Sequence, residues 1–141
     1  MVDDVLVPMD GSEMSERALE YALEVFPEAD ITVLHVVGEP SSMWAGATGL
    51  ALADDLEEAA NEHAAEVFER AREIATDADA DVDLDTEVEL GHPVRAIVGS
   101  AADHETVVIG SHGGSIADRV FVGNVAEKVF RRSPVPVVVV R

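Results

Sequence analysis

Three glycines at 110, 113 and 123 fall in a G-x2-G-x9-G spacing, between the apolar run Val107-Val108-Ile109 and a helical pattern that begins near Asn124. Without a Cβ, the backbone at Gly110, Gly113 and Gly123 can come within contact distance of a ligand's oxygens. The N–H groups of residues 124 to 126 would lie in the first turn of a helix. They have no intrahelical acceptor there, and the helix dipole favours negative charge. The segment therefore has the chemistry of a phosphate cradle in two halves. A second candidate is Asp10, in the turn Pro8-Met9-Asp10-Gly11 after the first apolar run. An acid beside phosphates acts mainly through a divalent cation between them, and Asp10 can also cap the helix that follows. Neither the Walker A pattern nor G-x-G-x-x-G after the first strand is present.

Other candidates carry less. Ser111 and His112 are neighbours in sequence, which makes no triad, and nothing near them reads as a base that activates water. The only lysine, Lys128, lies in the last helix and not in a phosphate loop. His35 in an apolar strand and His63 on an apolar helix face read as core histidines, while His92 and His104 fall near turns. No histidine pair has metal-ligand spacing with a third partner. Glu66 and Arg70 stand at i, i+4 on an acidic helix face and can pair. Met43 and Trp44, in a loop over 38–49, are apolar residues with no evident core role and could meet a ligand or partner.

The elements that must position these groups alternate. Strands are expected at 2–8, 31–37, 81–90, 106–110 and 134–140, with helices between them. Ser12 can cap the first helix, whose apolar repeat is Ala18, Leu19, Ala22, Val25 and Phe26. Leu52, Leu56, Ala60, His63, Val67, Ala71 and Ile74 share one face of the second, and Pro93 suits the first turn of the third. The strand 81–90 alternates strictly, which predicts an edge position with Val82, Leu84, Thr86, Val88 and Leu90 buried. This is an α/β, Rossmann-like fold: one domain over 1–141, a five-stranded parallel sheet with helices on both faces. If the first and fourth strands are neighbours where strand order reverses, both candidate turns open into one crevice and the order is 3-2-1-4-5.

Composition bounds the rest. The chain has 141 residues, 48% of them apolar, enough for a core. It has no cysteine, which excludes disulfides and thiolate chemistry. No stretch approaches the roughly 20 apolar residues of a membrane span, and MVDDVLVPMD does not have the pattern of a signal peptide, so a cytoplasmic protein is expected. Acids number 29 against 9 bases, for a net charge of −20. Such a surface repels nucleic acid and anionic membranes, so neither is an expected partner. It also repels itself unless salt screens it, which points to a halophile.

The chain resembles the universal stress protein family along its whole length. VLVPMDGSEMSERALEYAL looks like the family's opening strand and helix, LHVV like its second strand, and GHPVRAIVGSAADHETVVIGSHGG with VGNVAEKVFRRSPVPVVVVR like its C-terminal half. Members that bind ATP carry G-x2-G-x9-G-[ST]; Gly110, Gly113 and Gly123 match, whereas Asn124 replaces the hydroxyl residue. The resemblance implies a fold like the adenine nucleotide alpha hydrolases. It implies ATP or AMP as ligand, with Mg or Mn held through Asp10. Pro8, Met9, Val36 and Ile109 would surround adenine and ribose, Gly110 and Gly113 would hold the ribose-phosphate region, and Gly123, Asn124 and Val125 would meet the phosphates. It also implies a homodimer through the C-terminal strand, 136–140. The expected function is a nucleotide-binding stress-response or signalling module with little or no turnover. A slow ATPase or nucleotidyl-handling enzyme, and a dimeric module that binds no nucleotide, remain as alternatives.

Overall fold

The computed structural model describes residues 1–38, 47–80, 84–111 and 123–141. The elements are β1 (Asp4–Pro8), α1 (Glu13–Val25), β2 (Asp30–Val37), α2 (Ala47–Asp77), β3 (Leu84–Leu90), α3 (Pro93–Ala101), β4 (Thr106–Gly110), α4 (Asn124–Arg132) and β5 (Val137–Val140). The five strands form one parallel sheet in the order β3-β2-β1-β4-β5. This is the order expected from the two candidate turns.

Strands β1 and β4 are apolar on both faces because helices cover both. Val5, Val7, Ile31, Val33 and Val108 pack with Ala18, Leu19 and Ala22 of α1 and Val67, Ala71 and Ile74 of α2. On the other face Leu6, Leu34, Val107 and Ile109 pack with Val94 and Ile97 of α3 and Ala126 and Val129 of α4. Burying each valine, leucine or isoleucine among them contributes about 1.5–3 kcal/mol, before the entropy of ordering it. Ser12 caps α1 as expected, its Oγ accepting the Ser15 N–H at 3.2 Å. The buried stripe of that helix is Met14, Ala18, Leu19, Ala22 and Leu23, while Val25 is 45% exposed. Val25 therefore leaves the expected repeat: at the last residue of α1 it has already turned away from the sheet. Arg70 does not depend on Glu66, since its guanidinium joins Glu16 of α1 at 2.7 Å and Glu73 at 3.2 Å. The Glu105 carboxylate accepts the N–H groups of Asp3 and Asp4, tying the start of β1 to that of β4. Those two bonds hold its pKa below the ordinary carboxylate value.

Strand β3 takes the expected edge, but its faces are not covered as its alternation predicts. Leu84, Thr86, Val88 and Leu90 do share the α1–α2 face, opposite Ile31, Val33, His35 and Val37. Only Leu84 packs on that core; Val88 is 44% and Leu90 74% exposed. Glu87 and Glu89 instead face the α3–α4 side, where they are half-buried and hydrogen-bonded to each other. Burial first, and the Glu89 bond and charge next, push the Glu87 pKa above its ordinary value, with Asp103 adding to this and His104 opposing it. The folded chain thus holds that proton more tightly than the unfolded chain. Stability from this group is gained as pH falls through the raised pKa, and at neutral pH the ionised pair is a cost. Glu87→Gln is therefore expected to stabilise the protein at neutral pH by about 0.5 kcal/mol. The gain should shrink as pH is lowered towards the carboxylate range. Urea denaturation of both forms across that range measures it, and a gain that is constant with pH would contradict the account.

Candidate functional site

The sheet order brings the ends of β1 and β4 together, and with them the described residues expected to meet a nucleotide. Val5 pairs with Thr106 and Leu6 with Val107; continuing that register two residues places Pro8 beside Ile109. Pro8, Met9 and Ile109 are buried, Val36 on β2 is half-buried, and Asp10 is exposed. The β1–α1 turn is built locally. Gly11 has φ +85°, a left-handed conformation that strains any residue with a Cβ. Asp10 Oδ1 accepts the Ser12 N–H at 2.9 Å, a side-chain turn that leads into Ser12, the N-cap of α1.

The two ends of the glycine segment are joined directly. The Ser111 carbonyl accepts the Gly123 N–H, and the Ser111 N–H donates to Val140 O at 2.7 Å. This bond sets the start of α4 against the end of β4. Gly123 is the N-cap of α4, with no side chain capping it, and its carbonyl receives the Glu127 N–H at 2.9 Å. Helix geometry leaves the N–H groups of Asn124, Val125 and Ala126 without intrahelical acceptors. Asn124 and Val125 are exposed. Gly113 and His112 lie outside the described residues, as do Met43 and Trp44.

Gly110 has a role that its place in the spacing does not reveal. A Cβ built there would stand 2.8 Å from both the carbonyl carbon and the oxygen of Met14. The backbone of α1 is seated on Gly110, so this glycine is required for packing whether or not a ligand is bound.

Two histidines were only half legible. His35 is a buried core histidine as expected, 5% exposed, with Nδ1 donating to the Met9 carbonyl at 2.9 Å. His63 is exposed, not core. It sits beside the β1–α1 turn, its ring edge-on to His35 at a centroid distance of 5.2 Å and its Cε1 3.5 Å from where a Gly11 Cβ would be. The helix stripe that seemed to bury it is instead carried by Ala64, Val67 and Phe68. No sequence signal marked its position, because a one-residue rotation of the stripe decides it.

The donor set fits an anionic group at the start of α4, with the exposed Asp10 carboxylate across the crevice available to a cation. Among the described residues no group of three or more His, Asp or Glu could hold a metal ion. A cation at Asp10 would therefore depend on the ligand's own oxygens.

Comparison with known proteins agrees with this architecture. The model of the universal stress protein family matches residues 1–141. A universal stress protein of Bacillus subtilis, YxiE, is 30% identical over 150 aligned positions, covering 100% of both chains. The solved structure of universal stress protein UspA from Lactobacillus plantarum superposes with a TM-score of 0.81 at 26% identity, over 99% of this chain and 98% of that one. A universal stress protein solved in complex with cAMP superposes with a TM-score of 0.70 at 29% identity, over 99% and 97%. With the family model matched end to end and the sheet in the order β3-β2-β1-β4-β5, the chain belongs to the universal stress protein family.

Proposed function

We propose that the chain binds an adenine nucleotide, ATP, AMP or a cyclic form, in the crevice between the ends of β1 and β4, and serves as a stress-response or signalling module with little or no turnover. One observation carries the reading: the Ser111–Gly123 bond sets the first turn of α4, whose N–H groups have no intrahelical acceptors, at the end of β4, the strand paired with β1. The family relative solved with cAMP supports the choice of an adenine ligand. Gly123, Asn124 and Val125 meet the phosphates. Pro8, Met9, Val36 and Ile109 line the base and ribose, with Gly110 and Gly113 beside them. Asp10 would help to hold Mg or Mn beside the nucleotide, and that ion would supply charge neutralisation.

Mass spectrometry of small molecules released from the purified protein tests the ligand. Calorimetric titration with ATP and with AMP, with added Mg or Mn, tests the residues. Gly123→Val, at an N-cap whose φ of −66° a residue with a Cβ can adopt, is expected to weaken ATP roughly tenfold or more by blocking close approach of the phosphates. Asn124→Asp is expected to weaken ATP by about tenfold while stabilising the helix start by about 0.3–1 kcal/mol, because the dipole favours an acid there and the phosphate does not. Asn124→Ser should shift affinity by tenfold at most, since both side chains keep a donor. Equal ATP affinities in wild type, Gly123→Val and Asn124→Asp would remove the phosphates from α4.

The edge of β5 supports a homodimer. Val137 to Val140 are half-buried, and among the described residues β4 is the only strand paired with β5. Two-fold pairing of this strand with a second copy would satisfy its outer N–H and C=O groups. Light scattering at micromolar concentration is expected to report a dimer, and a charged residue at Val138 to abolish it; a wild-type monomer would contradict the pairing.

A further inference from the structure

We infer that His35 is a positioning residue for the crevice: its Nδ1–H fixes the Met9 carbonyl, and through it the Asp10–Gly11 turn that the ligand would meet. The inference rests on the nucleotide reading for its ligand, but not for its geometry.

The ladder between β1 and β2 ends at a defined place. Pro8 is the last residue of β1 paired with β2, opposite Leu34, and the Met9 N–H still donates to Leu34 O at 2.8 Å. The carbonyl that follows, on a residue only 3% exposed, is taken by a side chain: His35 Nδ1, at 2.9 Å. A carbonyl oxygen has no proton, so Nδ1 must be the protonated nitrogen. From that carbonyl the chain is determinate. The Met9–Asp10 peptide leads into Gly11 at φ +85°, Asp10 Oδ1 takes the Ser12 N–H, and Ser12 Oγ takes the Ser15 N–H. His35 thus stands at the origin of a relay that aims both the Asp10 carboxylate and the first turn of α1. Its ring is held in turn by edge-on contacts with Phe68, at a centroid distance of 6.5 Å, and His63, at 5.2 Å. A leucine would fill the same buried space, so apolar packing alone does not account for a histidine at this position.

The wild-type protein supplies the first test. Long-range proton–nitrogen spectra at neutral pH are expected to show His35 as the Nδ1–H tautomer; the Nε2–H tautomer would overturn the inference. Two variants supply the second. His35→Asn keeps an N–H near the Nδ1 position, whereas His35→Gln places its amide near Nε2. Amide exchange at Gly11, Ser12 and Ser15 is expected to stay near wild type in the asparagine variant and to quicken in the glutamine variant, with Leu19 to Leu23 unchanged in both. Titration with ATP and with cAMP, in the presence of Mg, is expected to show roughly five- to a hundredfold weaker binding for glutamine and recovery for asparagine. Equal exchange in the two variants would overturn the positioning role even if both fold. If wild type binds neither nucleotide, the proposed function fails, while the tautomer and exchange results still decide the role of His35.

Discussion

Gly110→Ala is expected to destabilise the fold by about 1–3 kcal/mol, near the upper end of that range, and Gly110→Val by more. The reason is the identity of the atoms a Cβ would meet. They are the carbonyl carbon and oxygen of Met14, at 2.8 Å, with the Met14 Cβ at 3.1 Å. A flexible side-chain end could swing aside at little cost, but the backbone of a helix cannot. Relief requires α1 to rise off β4, and its start is pinned at the same place by the Ser12 cap and the Asp10 turn. The strain therefore spreads to the crevice. Urea denaturation should show a lower midpoint with an unchanged slope. Affinity should fall as well in Gly110→Ala, whereas in Gly123→Val affinity falls with only the smaller loss of midpoint that a poorer N-cap brings. A Gly110→Ala midpoint equal to wild type would mean that α1 is not seated on β4 as described.

The thermal midpoint is expected to rise by roughly 10 °C or more between low and molar sodium chloride, the equivalent of a few kcal/mol for a domain of this size. With 29 acids against 9 bases, compaction gathers a net charge of −20. The Debye length is about 10 Å at 0.1 M and about 3 Å at 1 M, so salt removes most of that repulsion. Salt also weakens attractive pairs. Those described, Arg17–Glu13, Arg70–Glu16, Arg70–Glu73 and Arg131–Glu127, are surface pairs of about 0–1 kcal/mol each. The balance therefore favours stabilisation. Chloride is the salt of choice, because sulfate strengthens apolar burial by a separate route. A midpoint that stays flat across the series would exclude charge repulsion as a governing term, and with it the halophile reading.

The strand order was legible because two glycine-bearing turns, the first with Asp10, followed two doubly apolar strands, and making those strands neighbours places both turns at one end of the sheet. What the pattern could not give was which face of an edge strand is covered. The alternation in β3 separates Val88 and Leu90 from Glu87 and Glu89 correctly, yet the apolar pair is the more exposed. Coverage depends on which helix lies above, and alternation carries no information about that. Gly110 shows a second kind of limit. Its place in G-x2-G-x9-G invited a ligand explanation, while its immediate neighbour is α1, an element nearly a hundred residues earlier in the chain. His63 shows a third: at the margin of a helical stripe, one step of rotation moves a residue from core to rim. Where the reading rested on groups local in sequence, such as the Ser12 cap, Pro93 in the first turn of α3 and the start of α4, the structure places them as expected.

Helix α4 carries one further consequence. Its exposed Lys128 is the only lysine side chain of the protein and lies one turn beyond Asn124. An amine-reactive dye therefore has a single side-chain target, close to the proposed phosphate end of the crevice. A fluorophore attached there would convert ligand arrival and departure into an optical signal, with no cysteine to introduce and no competing lysine to remove.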